Sequence, residues 1–327
     1  MASMALTLDD LFATPDHYLH SFEGDAAVFV PMDRAAYHRS IFLDARIAPA
    51  GAGAMRVPVA MLTQGPPRAA ADTGWIFHIA HCGSTLLARA LDDPQANLVL
   101  REPLALRQTA IALDDARLAL VTAMIAKRYR AALPTLVKAN VPVNFVLPRL
   151  AQRAPQARAI LLHLGLRDYL VAILRSDNHR DWLRRVTTQL APHLGDLTGA
   201  DDARRAAALW LGQTRAFAAA CVAMPGARVL DAERFFAGPL PVLEAVAEHL
   251  RVAIDRDALA RTVAGSLFAT YSKNPGEAFD NDARVARRNE VERAIAPEIA
   301  RAEAWLAGVT EDLPGLTAAL DAAALIR

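Results

Sequence analysis

From residue 74 onward, short runs that are apolar at nearly every position alternate with longer stretches in which apolar residues recur at helical spacing. Trp75–Ala80 (WIFHIA), Leu98–Leu100, Pro134–Lys138, Arg158–His163 (RAILLH) and Arg228–Asp231 (RVLD) read as strands. Runs this apolar leave neither face for solvent, which predicts a parallel sheet covered by helices on both sides, an α/β fold. The helices follow from the intervening pattern. Ser84–Leu91 stops near Asp92–Pro94, helical stretches run on to Arg130, and further pieces cover Phe145–Arg153 and Asp168–Arg175. Asp201–Ala223 is a long Ala-rich helix, and Pro241–Leu250, Arg256–Ala264, Arg287–Leu306 and Pro314–Ile326 complete the chain. Residues 1–70 differ: Ala27–Met32, Ser40–Ile47 and Arg56–Leu62 have strand-type patterning, with the small residues Ala48–Ala54 between two of them. The Pro66-Pro67 pair and the small residues to Ala71 read as a linker. The expected organisation is a small β-containing lead-in over 1–70 and one α/β domain over 71–327.

Composition narrows the classes of function. Of 327 residues 54% are hydrophobic and 22% charged, enough for a large core, and 36 Lys and Arg stand against 35 Asp and Glu. A net charge of +1 argues against a nucleic-acid-coating protein, whose mark is a basic stripe, and leaves room for a local basic pocket. No run approaches the ~18 apolar residues of a membrane span, and the first residues lack the basic start and apolar run of a secretory signal. Cys82 and Cys221 stand far apart with no CxxC pair. The expectation is a cytoplasmic chain without a disulfide framework or a cysteine metal site.

The candidate chemistry lies in His81-Cys82-Gly83-Ser84-Thr85, directly between an apolar strand and a helix. Backbone N–H groups in such a turn, with two hydroxyls and the helix dipole, suit a phosphate. Gly83 falls where a close approach or a positive φ excludes a side chain. The plainer alternative is that Ser84 and Thr85 only cap the helix. The Walker pattern G-x-x-x-x-G-K-[ST] is absent, so the lysine of ATP- and GTP-hydrolysing loops is missing. His78, inside the strand, reads as a satisfied buried histidine. Cys82 sits where a helix start lowers a thiol pKa, yet no catalytic partners accompany it.

With these residues the chain resembles the sulfotransferases that use 3′-phosphoadenosine 5′-phosphosulfate (PAPS), particularly bacterial sulfotransferase-like P-loop proteins. Their phosphosulfate loop runs basic, small, Gly, Ser/Thr, Ser/Thr, here residues 81–85. The likeness continues through Arg101-Glu102-Pro103-Leu104, Val137-Lys138, Leu166-Arg167-Asp168-Tyr169-Leu170 and Tyr271-Ser272-Lys273, spanning about residues 74–290. It implies transfer of a sulfuryl group from PAPS to a hydroxyl or amine of a small molecule, with 3′,5′-ADP released and no metal required. It also assigns roles. Residues 81–85 hold the phosphosulfate, with His81 in place of the usual Lys or Arg, so that its charge depends on protonation. Glu102 is the general base, Lys138 a cation near the transferring group, and Lys273 part of a late loop over the cofactor. Glu102 read without the resemblance only orders its turn by pairing with Arg101 or Arg107. In the 3′-phosphate element Arg167 supplies charge, while Leu164 and Ala172 stand where the family has Arg and Ser. Arg175, Arg284, Arg287 and Arg288 are candidate substitutes. An atypical P-loop kinase using ATP, or a nucleotide-binding protein without catalysis, are the alternatives.

Overall fold

The computed structural model describes residues 6–64, 72–272, 274–309 and 312–326. Three strands near the start, β1 (His17–Glu23), β2 (Ala26–Pro31) and β3 (Met55–Pro58), form an antiparallel sheet in the order β1-β2-β3. Five later strands form the central sheet: β4 (Thr73–His78), β5 (Leu98–Arg101), β6 (Thr135–Lys138), β7 (Arg158–His163) and β8 (Ala227–Asp231). Their order is β5-β6-β4-β7-β8 and every pairing is parallel. A two-stranded hairpin, β9 (Thr270–Tyr271) and β10 (Asn274–Ala278), comes late in the chain.

The α/β class expected from the apolar runs is the one observed. All six residues of β4 are buried, as a strand with sheet neighbours on both edges and helices on both faces must be. The long helix Asp202–Ala223 packs on Leu147–Arg153, Leu166–Leu174 and Ala296–Ala307, and residues of both larger sheets share one hydrophobic core. From β4 the chain passes to β5 and β6 on one side, then to β7 and β8 on the other. The carboxyl end of β4 is therefore a point where strand order reverses, the crevice at which open parallel sheets place ligands.

Three expectations change. Ser40–Ile47 is not a strand: helix Arg34–Arg39 ends at Ser40, and the segment lies against the end of β5, where Leu43 N–H donates to the Arg101 carbonyl at 2.7 Å. Arg56–Leu62 divides at Pro58, which has no N–H to continue a ladder, and Val59–Leu62 is a helical turn. The Arg287–Leu306 helix begins earlier and breaks at Ile295, giving Asn281–Ala294 and Ala296–Ala307. The residues 65–71 that read as a linker lie outside those described.

Candidate functional site

The turn after β4 has a fixed shape. His81 (φ 59°) and Gly83 (φ 80°) are both left-handed, and Gly83 immediately precedes helix Ser84–Ala90. A Cβ on Gly83 would stand 2.6 Å from Phe236 Cζ, so the position needs glycine for both its φ and its space. The first-turn N–H groups have no acceptor within the helix. Thr85 is 1% exposed, and its Oγ1 is buried without a hydrogen-bond partner. An unmet hydroxyl costs about 1–3 kcal/mol, a cost a bound acceptor removes. The Cys82 thiol instead donates to the Ile79 carbonyl at 2.8 Å, so this residue offers the loop only its backbone.

These loop residues line a cavity of about 530 Å³. Its facing wall is helix Asn281–Ala294, where Arg284, Arg287 and Arg288 share one face through spacings of three and four, and all three line the cavity with Arg175. Arg284 forks onto Glu233 with both contacts at 2.8 Å and lies 4.2 Å from the Phe236 ring centroid. Arg288 donates to Asp168 at 3.0 Å and Glu233 at 3.1 Å. Those bonds neutralise two of the four cations. Arg287 has no carboxylate partner among the described residues, and Arg175 together with Arg287 outweighs Glu277, the remaining carboxylate in the lining.

The titrating groups reflect this setting. Burial works against the Glu233 charge, but the Arg284 fork and Arg288 outweigh it and hold the carboxyl below its ordinary value. Burial raises Asp168, with Arg288 opposing and the Glu233 charge adding to the rise. Desolvation lowers the Arg175 guanidinium and the like charge of Arg287 adds to that, while Tyr271 and Glu277 oppose. The His81 ring packs against His179, tilted 34° with centroids 3.8 Å apart, and meets Trp182 edge-on at 5.6 Å. His179 Nδ1 in turn lies 3.0 Å from the Ala172 carbonyl and 3.2 Å from Arg175 Nε.

The expected residues separate into three groups. His81, Cys82, Gly83, Ser84, Thr85 and Arg175 line the cavity, as do Leu164 and Ala172. Glu102 and Lys138 form a second cluster on the same sheet edge, outside that lining. Lys138 is wholly buried and ion-paired to Glu102, and its Nζ also donates to His78 Nε2 at 3.1 Å. The other His78 nitrogen donates to the Ile79 carbonyl at 3.0 Å, so the histidine is satisfied as expected. Glu102 sits at φ 56°, directly after β5. It is ion-paired with Lys138, and His78 Nε2 lies 3.9 Å from its carboxylate. Arg167 is not brought to the cavity: it pairs outward with Glu303 at 2.9 Å and Glu292 at 3.3 Å. Lys273 lies outside the described residues.

Sequence reasoning missed His179, Trp182, Glu233 and Phe236, which come from helices with no motif of their own. It also missed Arg89, which fastens the loop helix to the late hairpin by donating to the Ser272 carbonyl at 2.7 Å. Among the described residues no cluster of His, Cys, Asp and Glu could hold a metal ion, and no helix is long and apolar enough to cross a membrane.

Fold and site together define an α/β protein with an arginine-rich cavity at the carboxyl edge of a parallel sheet. No protein-family model matches the chain, and no curated protein does. Among solved structures, a sulfotransferase from Alicyclobacillus acidocaldarius aligns over 76% of this chain and 99% of its own, at 16% identity and a TM-score of 0.38.

Proposed function

We propose that this chain is a sulfotransferase that uses PAPS and a small-molecule hydroxyl or amine acceptor. The carrying observation is the unpartnered Thr85 hydroxyl in a glycine-dependent loop, set in a cavity whose wall holds two cations, Arg175 and Arg287, with no ion pair among the described residues. A phosphorylated nucleotide meets both needs, and the likeness of residues 81–85 to the phosphosulfate loop selects PAPS among such nucleotides. When bound, PAPS supplies an activated sulfuryl group on its phosphosulfate anhydride.

The chain's own residues divide the work. The loop N–H groups and the Thr85 hydroxyl donate to anionic oxygens, which stabilises charge on the leaving phosphate. Arg175 and Arg287 hold a second anionic group, in the role that Leu164 and Ala172 cannot fill. His81, held by His179 and Trp182, adds a donor whose charge depends on pH. Glu102, ion-paired with Lys138, accepts the acceptor's proton.

Calorimetry with 3′,5′-ADP, AMP and ATP tests the donor. 3′,5′-ADP should bind more tightly than AMP by about tenfold or more. Binding of AMP or ATP without 3′,5′-ADP at high micromolar concentration would remove PAPS and favour the kinase reading. Transfer is read as 3′,5′-ADP release from PAPS in the presence of simple phenols and amines. Glu102→Gln should keep nucleotide binding and lose about 10²–10⁴-fold in turnover; unchanged turnover removes Glu102 as the base. Tight 3′,5′-ADP binding with no transfer to any acceptor would leave a nucleotide-binding protein without catalysis.

A further inference from the structure

At the opposite, amino-terminal edge of the central sheet lies a second cavity, of about 170 Å³. Leu98, which opens β5, and Thr135, which opens β6, form part of its wall. Arg34, Arg128 and Arg130 converge on it beside Asn97 and Tyr129, and no Asp or Glu among the described residues lines it. Arginines in a concave site without a carboxylate are an arrangement that folding alone gives no reason to build, because like charges repel and desolvation penalises each of them.

The hydrogen bonding is incomplete on the same side. Arg34 commits Nη2 to Asp92 at 2.7 Å, but its Nε and Nη1 are buried without partners. Arg128 gives Nη1 to the Ala131 carbonyl at 3.0 Å and Nη2 to the Asp72 carbonyl, and its Nε is likewise buried and unmatched. Arg130 is exposed and reaches the Gln95 carbonyl at 3.0 Å. Asp92 cannot balance the group, because Arg101 also takes it at 2.6 Å and His38 at 3.1 Å. Asp92 is thus divided between Arg34, Arg101 and His38. Buried guanidinium N–H groups call for an acceptor, and an oxyanion matches their planar fork better than any neutral ligand. The volume is below the ~300 Å³ at which drug-sized sites begin, so a whole nucleotide is too large.

We propose that this cavity is a second anion site, distinct from the loop cavity, which takes a small tetrahedral oxyanion: free phosphate or sulfate, or the phosphate end of a phosphomonoester. The assignment does not rest on the sulfotransferase reading.

The test titrates the full chain with orthophosphate, sulfate and glycerol phosphate by calorimetry, in wild type, Arg130→Ala, Arg128→Ala/Arg130→Ala and Arg287→Ala. Orthophosphate should saturate wild type and Arg287→Ala alike, and weaken about tenfold or more in Arg130→Ala, a loss of about 1.4 kcal/mol. Arg130 is exposed, so that variant keeps the test usable if the double variant fails to fold. Glycerol phosphate binding about fivefold tighter than orthophosphate identifies a phosphomonoester as the ligand; otherwise the free ion is identified. No saturable orthophosphate binding below about 10 mM in wild type, where the free energy is under about 3 kcal/mol, overturns the site. So does binding that survives Arg130→Ala unchanged, or that disappears in Arg287→Ala, which would place the anion in the loop cavity.

Discussion

Thr85 and Gly83 make the loop's two demands separable. Valine at position 85 keeps the shape of threonine and removes a buried hydroxyl that the fold leaves unmatched. Folding stability of Thr85→Val should therefore hold or rise, while 3′,5′-ADP affinity falls about tenfold or more, the worth of a hydrogen bond to a charged group. Lower stability with unchanged affinity would show that the hydroxyl serves folding. Gly83→Ala strikes stability and binding together, because it attacks the backbone. With φ at 80° and Phe236 Cζ 2.6 Å from the new methyl, it should cost about 1–3 kcal/mol in denaturant unfolding and abolish nucleotide binding with it. A stable, binding-competent Gly83→Ala would mean that the turn relaxes to another shape. The loop was legible because its residues are contiguous and follow an apolar strand. Its partners were less so: Arg284, Arg287 and Arg288 could be named only as basic residues, since their shared face depends on a helix some 200 residues away that must first dock.

At the scale of elements, legibility follows how well burial obeys a single period. The central strands are apolar through their middles, and the sequence places them within a residue or two. β1 was missed because a bulge between Leu19 and Ser21 breaks its register, burying Tyr18, Leu19, Ser21 and Phe22 where strict alternation would bury every second residue. The Gly24-Asp25 pair after it, with Gly24 at φ 56°, was a usable hairpin signal. Helix phase explains Arg167. Successive helical residues point about 100° apart, so with Asp168 on the cavity Arg167 turns outward to Glu292 and Glu303. A lysine ties two early elements down: Lys127 Nζ donates to the carbonyl of Leu11, in the helix Leu8–Ala13, at 2.9 Å and to that of His17, which opens β1. Burial pulls its pKa down from 10.5 to about 7, with Asp16 opposing. Between those values the unfolded chain holds the proton and the folded chain does not, so stability rises with pH across that window. Lys127→Met lacks this titration. Wild-type stability should therefore gain on the variant from pH 7 toward 10, by up to about 1.4 kcal/mol per pH unit. Urea midpoints with a pH-independent gap would show that Lys127 titrates normally.

Across the whole molecule, the contact between the N-terminal segment and the central sheet runs through a buried charge. Arg101 ends β5 at 1% exposure. It donates to the carbonyls of Tyr37 at 2.7 Å, His38 at 3.0 Å and Ser40 at 2.6 Å, and meets Asp92 at 2.6 Å. Asp92 follows helix Ser84–Ala90, so one carboxylate joins that helix, the central sheet and the N-terminal segment. Burial opposes its charge, but His38, Arg101 and Arg34 outweigh that and bring its pKa down from 3.8 to about 2. A carboxyl depressed in the folded state contributes stability that is complete above about pH 4 and lost as pH falls through about 2. Asp92→Asn leaves Arg101 buried without its counter-ion, which should cost about 3–5 kcal/mol at neutral pH. The same substitution should flatten the acid limb of the stability curve between about pH 4 and 2. Because Glu102 follows Arg101 directly, the loosening should reach the Glu102–Lys138 pair and lower turnover under conditions where the variant stays folded. If Asn at position 92 left both the midpoint and the acid limb unchanged, the carbonyls of Tyr37, His38 and Ser40 would suffice to hold Arg101, and the join between the two sheets would not depend on charge.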